Sequence, residues 1–256
     1  MTDIAPSLYE KLHKDFNARI EANSRLAKLR VKANPTYKDA QTYSEIVGDT
    51  LQKSFKLITG EDLPNGTMYY NIADRTVRPL MEESHDLTAA YAKRVQESKN
   101  AKAGLKIKAA VPGIREDRID GIIDILTDDV FEEASWILGE PVTNFCMNVV
   151  MDSIEANAEL QDKAGIKCYI ARMAEANCCP WCEDLEGTYE YPVQNGDVYR
   201  RHENCRCVVD FFNEREQYKQ DVWSKAKTSV DAKQEMLGRY EQIINNQRQR
   251  ANSRGQ

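Results

Sequence analysis

The chain has 256 residues, enough for one large domain or two modest ones, and 41% of them are hydrophobic, which is enough to build a core. A net charge of −6 removes the electrostatic ground for nucleic acid as the chief ligand, and 30% charged residues with only 8% aromatics argue for a helix-rich protein over an all-β sandwich. No apolar run reaches the ~18 residues a bilayer requires, and the first residues show no basic segment leading into an apolar one, so the expectation is a cytoplasmic protein without membrane contact. In that compartment seven cysteines, an odd number, read as reduced thiols or metal ligands rather than disulfides.

In chain order, Ser7 and Glu10 have the spacing of a capping box, which predicts a helix start. Leu8, Leu12, Phe16 and Ile20 then recur at four-residue intervals, giving one long amphipathic helix closed by Asn34-Pro35. Thr36 with Asp39 repeats the start signal, and Tyr43, Ile46, Val47, Leu51, Phe55 and Ile58 form the apolar stripe of a second helix up to Gly60. A loop is expected over 61–74, followed by a third helix carrying Val77, Leu80, Met81, Leu87, Tyr91 and Val95, with Pro79 in its first turn. Residues 99–113 read as a connector. Helical spacing resumes from Ile119 to Ile137, stops at Gly139, and returns from Val142 to about Ala164.

Between Arg115 and Lys163 stand thirteen acidic residues against three basic ones. Such a run is read first as a solvated helical face and second as a docking surface for a basic partner.

From Gly165 the texture changes. Residues 167–173 read as a strand or short mixed element and 187–191 and 207–212 as strands, with a turn at Asn195-Gly196-Asp197. After Asn213 a helical period returns through Val222, Trp223, Val230, Met236, Leu237 and Tyr240, and 245–256 is a polar tail with three arginines and no acid. The expected fold is therefore α+β: predominantly helical over 1–164, a small Cys/His-stapled β-hairpin module over 165–212, and a C-terminal helix with the tail over 213–256.

The densest chemistry lies in that module. Cys178-Cys179-Pro180-Trp181-Cys182 is followed about twenty residues later by His202-Glu203-Asn204-Cys205-Arg206-Cys207. Two short thiol and imidazole clusters separated by a hairpin-length insert suit a tetrahedral zinc ion, because each turn supplies two ligands. The most economical set is Cys179, Cys182, His202 and Cys205, with Cys178 able to replace Cys179 and Cys207 able to replace Cys205. A module of this size buries little apolar area, so a structural metal would supply much of its stability. The competing reading is a set of buried thiols with an ordinarily hydrogen-bonded histidine. A dithiol redox motif would need a βαβ context, which the preceding acidic helix does not offer.

Cys179, Cys182, Leu185 and Gly187, the tyrosine-rich hairpin and the block Arg200 to Cys207 together resemble the terminal signature of phage head-morphogenesis or minor capsid proteins of the Mu F-like type. The resemblance covers roughly 168–212; Glu203 stands where many relatives have proline. It implies a minor head protein of a tailed bacteriophage that acts in capsid and portal assembly through protein–protein contacts, in the virion and host cytoplasm, with portal and capsid proteins as partners and DNA as a further candidate contact. The alternative is a zinc-dependent nucleic-acid-binding, DNA-packaging or DNA-ejection accessory protein, motivated by Arg200, Arg201 and Arg206 beside Tyr199. An enzyme is not expected. His13 and His85 read as polar groups on solvated stretches, and no Ser-His-Asp order, phosphate loop or H-E-x-x-H helix occurs.

Overall fold

The computed structural model describes residues 3–175, 178–202 and 205–218. It is mostly helical, with one small antiparallel sheet, as an α+β chain should be. The expected helix over 222–244 and the arginine tail lie outside the described residues.

The first predicted helix is two. Helix α1 spans Ala5–Ala22 and α2 spans Ser24–Val31. Asn23 makes the break: its backbone is extended and its side-chain oxygen accepts from the N–H groups of Arg25 and Leu26, both at 3.0 Å, so a new helix is capped there. The start also moves. Pro6 in the first turn opens α1, and Ser7 Oγ donates to the Ile4 carbonyl instead of capping the helix. Thr36 and Asp39 do form the expected capping box, with Asp39 N–H on Thr36 Oγ1 at 3.2 Å and Thr36 N–H on Asp39 Oδ2 at 2.8 Å, and α3 follows over Tyr37–Phe55.

Two 3₁₀ turns occupy part of the expected loop, and α4 then runs over Tyr70–Lys102 with Pro79 in its interior rather than its first turn. Buried Ile72, Ala73, Thr76 and Val77 before the proline and Leu80, Met81 and Ser84 after it anchor both halves to one core, which offsets the lost backbone hydrogen bond. Tertiary burial has overridden a local breaker. The acidic segment divides similarly. Helix α5 (Glu116–Asp128) and the single turn α6 (Phe131–Ala134) are separated by extended Asp129, whose carboxylate accepts the Val130 N–H at 2.7 Å. Helix α7 then spans Glu140–Lys163.

Helices α3 and α7 form the closest crossing. A Cβ on Gly48 would lie 2.6 Å from the Thr143 Cα, so only glycine fits there. A ladder of buried amides joins the layers further along. Tyr37 Oη donates to Gln96 Oε1 at 2.6 Å, Gln96 and Gln161 both donate to Asn100 Oδ1, and Asn100 donates to the Ile107 carbonyl. Each polar group surrendered by water is thereby repaired inside the protein.

The chain leaves α7 into β1 (Cys168–Met173), passes the short helix α8 (Pro180–Asp184) and β2 (Gly187–Glu190), and returns in β3 (Val208–Asn213), which leads into α9 (Glu214–Tyr218). The strand order is β2-β1-β3, with Ile170 opposite Tyr189 on one side and Phe211 on the other. The three expected strands thus form one small antiparallel sheet in which β2 and β3 both pair with β1. Cys168, Ile170, Val209 and Phe211 belong to the same continuous core as the helices. Gln41 of α3 donates to the Val209 carbonyl at 2.6 Å, and Arg206 bridges Glu45 of α3 and Glu140 of α7 at 2.6 and 3.1 Å. Gly48→Ala should therefore loosen the helix pair that carries the sheet; we expect a loss of about 1–3 kcal/mol in denaturant-unfolding free energy, with the helical spectrum retained.

Candidate metal centre

The cluster is assembled from two turns, one between β1 and β2 and the other leading into β3. In the first, Cys179 caps α8 and Pro180 occupies the first helical position, where no N–H is needed. The Cys179 sulfur accepts the Cys182 N–H at 3.5 Å, which folds the two thiols of Cys-Pro-Trp-Cys toward one point. The second turn closes through the Cys205 N–H on the His202 carbonyl at 3.2 Å. Arg201 reaches over it and donates to the carbonyls of Cys205 and Cys207 at 3.0 and 2.8 Å.

Five side chains converge in two overlapping triads. Cys179, Cys182 and His202 offer ligand atoms within 4.8 Å of one another, and so do Cys182, Cys205 and Cys207. His202 Nε2 lies 3.2 Å from the Cys179 sulfur and 3.0 Å from that of Cys182, and the Cys182 and Cys205 sulfurs are 3.7 Å apart. A tetrahedral ion with metal–sulfur bonds near 2.3 Å sets neighbouring sulfurs about 3.8 Å apart. The side chains present fit a metal ion. Cys182, Cys205 and Cys207 are buried, while Cys179 and His202 stand at the rim with Trp181 edge-on to the imidazole at 5.6 Å.

The cluster thiols differ in their electrostatic environment. The Cys205 thiol is held below its ordinary value by the hydrogen bond from Cys207, against the cost of burial and with help from the Arg201 charge. The same hydrogen bond holds the Cys207 thiol far above its ordinary value. Burial raises Cys182, opposed by a hydrogen bond from Arg172. All seven cysteines are free of disulfides.

All four sequence-predicted residues, Cys179, Cys182, His202 and Cys205, come into this cluster, and Cys207 joins them beside Cys205. Cys178, the proposed substitute for Cys179, is in neither triad. The sequence reading missed Arg172, whose guanidinium donates to the Cys182 and Cys205 sulfurs at 3.5 and 3.8 Å. Its signal was the strand period: Arg172 falls on the same inward face as Cys168 and Ile170. His85 also requires correction, since it is buried on α4, with Nε2 unpartnered and Nδ1 3.2 Å from Asp86, rather than solvated.

Fold and site together define a mostly helical α+β protein whose small sheet carries a buried Cys/His cluster positioned to hold a metal ion. The family model described as VG15 protein matches residues 30–237, which takes in α3 through β3 and the whole cluster, and the chain belongs to this family of viral proteins. No curated protein and no solved structure matches it. No helix among the described residues is long and apolar enough to cross a membrane.

The environments of the thiols predict their reactivity. Burial pushes Cys146 and Cys168 up to about 12, whereas Cys178 is half-buried and outside both triads. Brief alkylation at neutral pH followed by peptide mapping should label Cys178 first and leave Cys146 and Cys168 unlabelled until the protein is denatured.

Proposed function

We propose that the chain is a minor head protein of a tailed bacteriophage, acting in capsid and portal assembly through protein–protein contacts, with a structural zinc ion closing its Cys/His module. The observation that carries this reading is the convergence of Cys179, Cys182, His202 and Cys205. These are the residues of the signature that resembles Mu F-like head-morphogenesis proteins, here within a chain of a viral family. The geometry suits a stapling role, because two distant turns are tied at the edge of a sheet and the ligands converge from buried or half-buried positions.

Zinc suits thiolate and imidazole donors in tetrahedral array. Cys205 is the fourth ligand by preference over Cys207, because its sulfur is the one placed 3.7 Å from that of Cys182. Metal analysis of protein purified without chelator should give about one zinc per chain. Cys182→Ser and His202→Ala should lose the metal, and Cys207→Ser should keep it. Because each sulfur sheds a proton on binding, zinc should be retained at neutral pH and released on acidification. Protein that carries no metal and whose thiols all titrate freely while folded would defeat the zinc assignment.

The virion role has its own test. The protein should co-purify with portal or procapsid particles in infected cells, and heads that lack it at every stage of assembly would overturn the assignment. A DNA-packaging or ejection role remains the second reading, motivated by the arginines of the second turn. The geometry weighs toward protein contacts, because Arg206 is spent on Glu45 and Glu140, Arg201 on two carbonyls, and Arg200 pairs with Asp197 at 3.1 Å. DNA binding that falls steeply with added salt would favour the second reading instead.

A further inference from the structure

Arg172 is wholly buried, and among the described residues its hydrogen-bond partners are carbonyls and sulfurs rather than a carboxylate. One terminal nitrogen donates to the carbonyls of Val198 and Arg200 at 2.7 and 2.8 Å. The other points at the sulfurs of Cys182 and Cys205. The guanidinium carbon lies over the Trp181 ring, 5.3 Å from its centroid, and Nε has no partner. Carbonyls and an indole face solvate a cation without neutralising it, and a guanidinium keeps its proton under all ordinary conditions. A buried charge of this kind persists only where a counter-charge is close.

Among the described residues, the sulfurs are the groups in contact with Arg172 that can carry that counter-charge. As neutral thiols they do not. As ligands of a divalent ion they do, and the number of thiolates sets the balance. Two thiolates and two neutral donors around a divalent cation sum to zero, three thiolates and one imidazole sum to a single negative charge, and four thiolates sum to two. Only the three-thiolate set matches one fully buried guanidinium. Arg201 is less deeply buried than Arg172, and its terminal nitrogens are held by the carbonyls of Cys205 and Cys207 rather than by a sulfur.

We infer that Arg172 is the counter-ion and positioning residue of a three-cysteine, one-histidine metal centre of net charge −1, its N–H groups directed at two of the ligating sulfurs. This rests on the metal reading proposed above and adds to it the charge of the centre and the group that balances it. Hydrogen bonds to ligating sulfur draw electron density from it, which makes the thiolate harder to protonate or alkylate and slows loss of the metal. The strand fixes the geometry: β1 is the central strand, paired on both sides, so the guanidinium enters the cluster from the most rigid part of the sheet.

The test uses the full-length protein loaded with zinc and, separately, with cobalt(II). X-ray absorption at the zinc edge of the unaltered protein should give three sulfurs and one nitrogen; two sulfurs or four would overturn the charge balance. Arg172→Met should release zinc to a colorimetric chelator about tenfold faster or more. In the cobalt form its sulfur-to-metal charge-transfer bands should move to lower energy, a shift that simple loosening of the fold does not produce. Arg172→Lys, which keeps the charge but loses the fork, should fall between the two. If zinc binds as three sulfurs and a nitrogen, yet folded Arg172→Met or Arg172→Lys matches the unaltered protein in release rate and bands, Arg172 has no such role and the metal reading stands alone. If the unaltered protein binds no metal, both fall. Should the methionine variant fail to fold, the lysine variant and the absorption measurement decide the question.

Discussion

The close crossing of α3 and α7 at Gly48 and Thr143 is the constraint on which the remaining architecture depends. With backbone this near to side-chain root, the two helices act as one rigid unit, and their far ends become fixed points for everything that follows in the chain. The sheet uses those points directly. Gln41 holds the β3 carbonyl of Val209, and Arg206 spans Glu45 on one helix and Glu140 on the other. Arg206 lies between two cluster cysteines, so the helix pair determines where the second turn of the cluster sits.

The cluster itself shows a division of labour between backbone and side chain. Cys179 and Cys182 are set by a proline-started helical turn, a local device. Cys205 and Cys207 are set by the clamp of Arg201 on their carbonyls and by the entry of β3 into the sheet, and His202 is tied to them by the Cys205 N–H on its carbonyl. Such a site joins pieces of chain that the small sheet alone would hold weakly, since a short three-stranded sheet buries little area except where it faces the helices.

The acidic segment takes on a different meaning once its neighbours are known. Arg78 alone engages Asp74, Glu116 and Asp120, and Arg115 pairs with Asp152 at 2.8 Å. These exposed contacts contribute little stability individually. They do show that several carboxylates of the run are used in joining α4, α5 and α7 to one another, so a count of charges along the chain overstates what the surface offers to a partner.

How much was legible in the sequence follows the range of the interactions concerned. The Thr36–Asp39 cap, the apolar stripes of the helices, the positions of the strands and the two thiol and imidazole turns that bring Cys179, Cys182, His202 and Cys205 into one cluster were all readable, because each is encoded within a few residues by spacing and side-chain chemistry. The continuity of α4 through Pro79 was not, since burial on both sides of the proline is a property of the packed core. Neither was the pairing of β2 and β3 with β1 rather than with each other, which depends on how the sheet meets the helices. Arg172 makes the same point most sharply. By itself it is one basic residue in a strand; only when folding removes its water and sets two sulfurs beside it does its charge demand an answer from the cysteines.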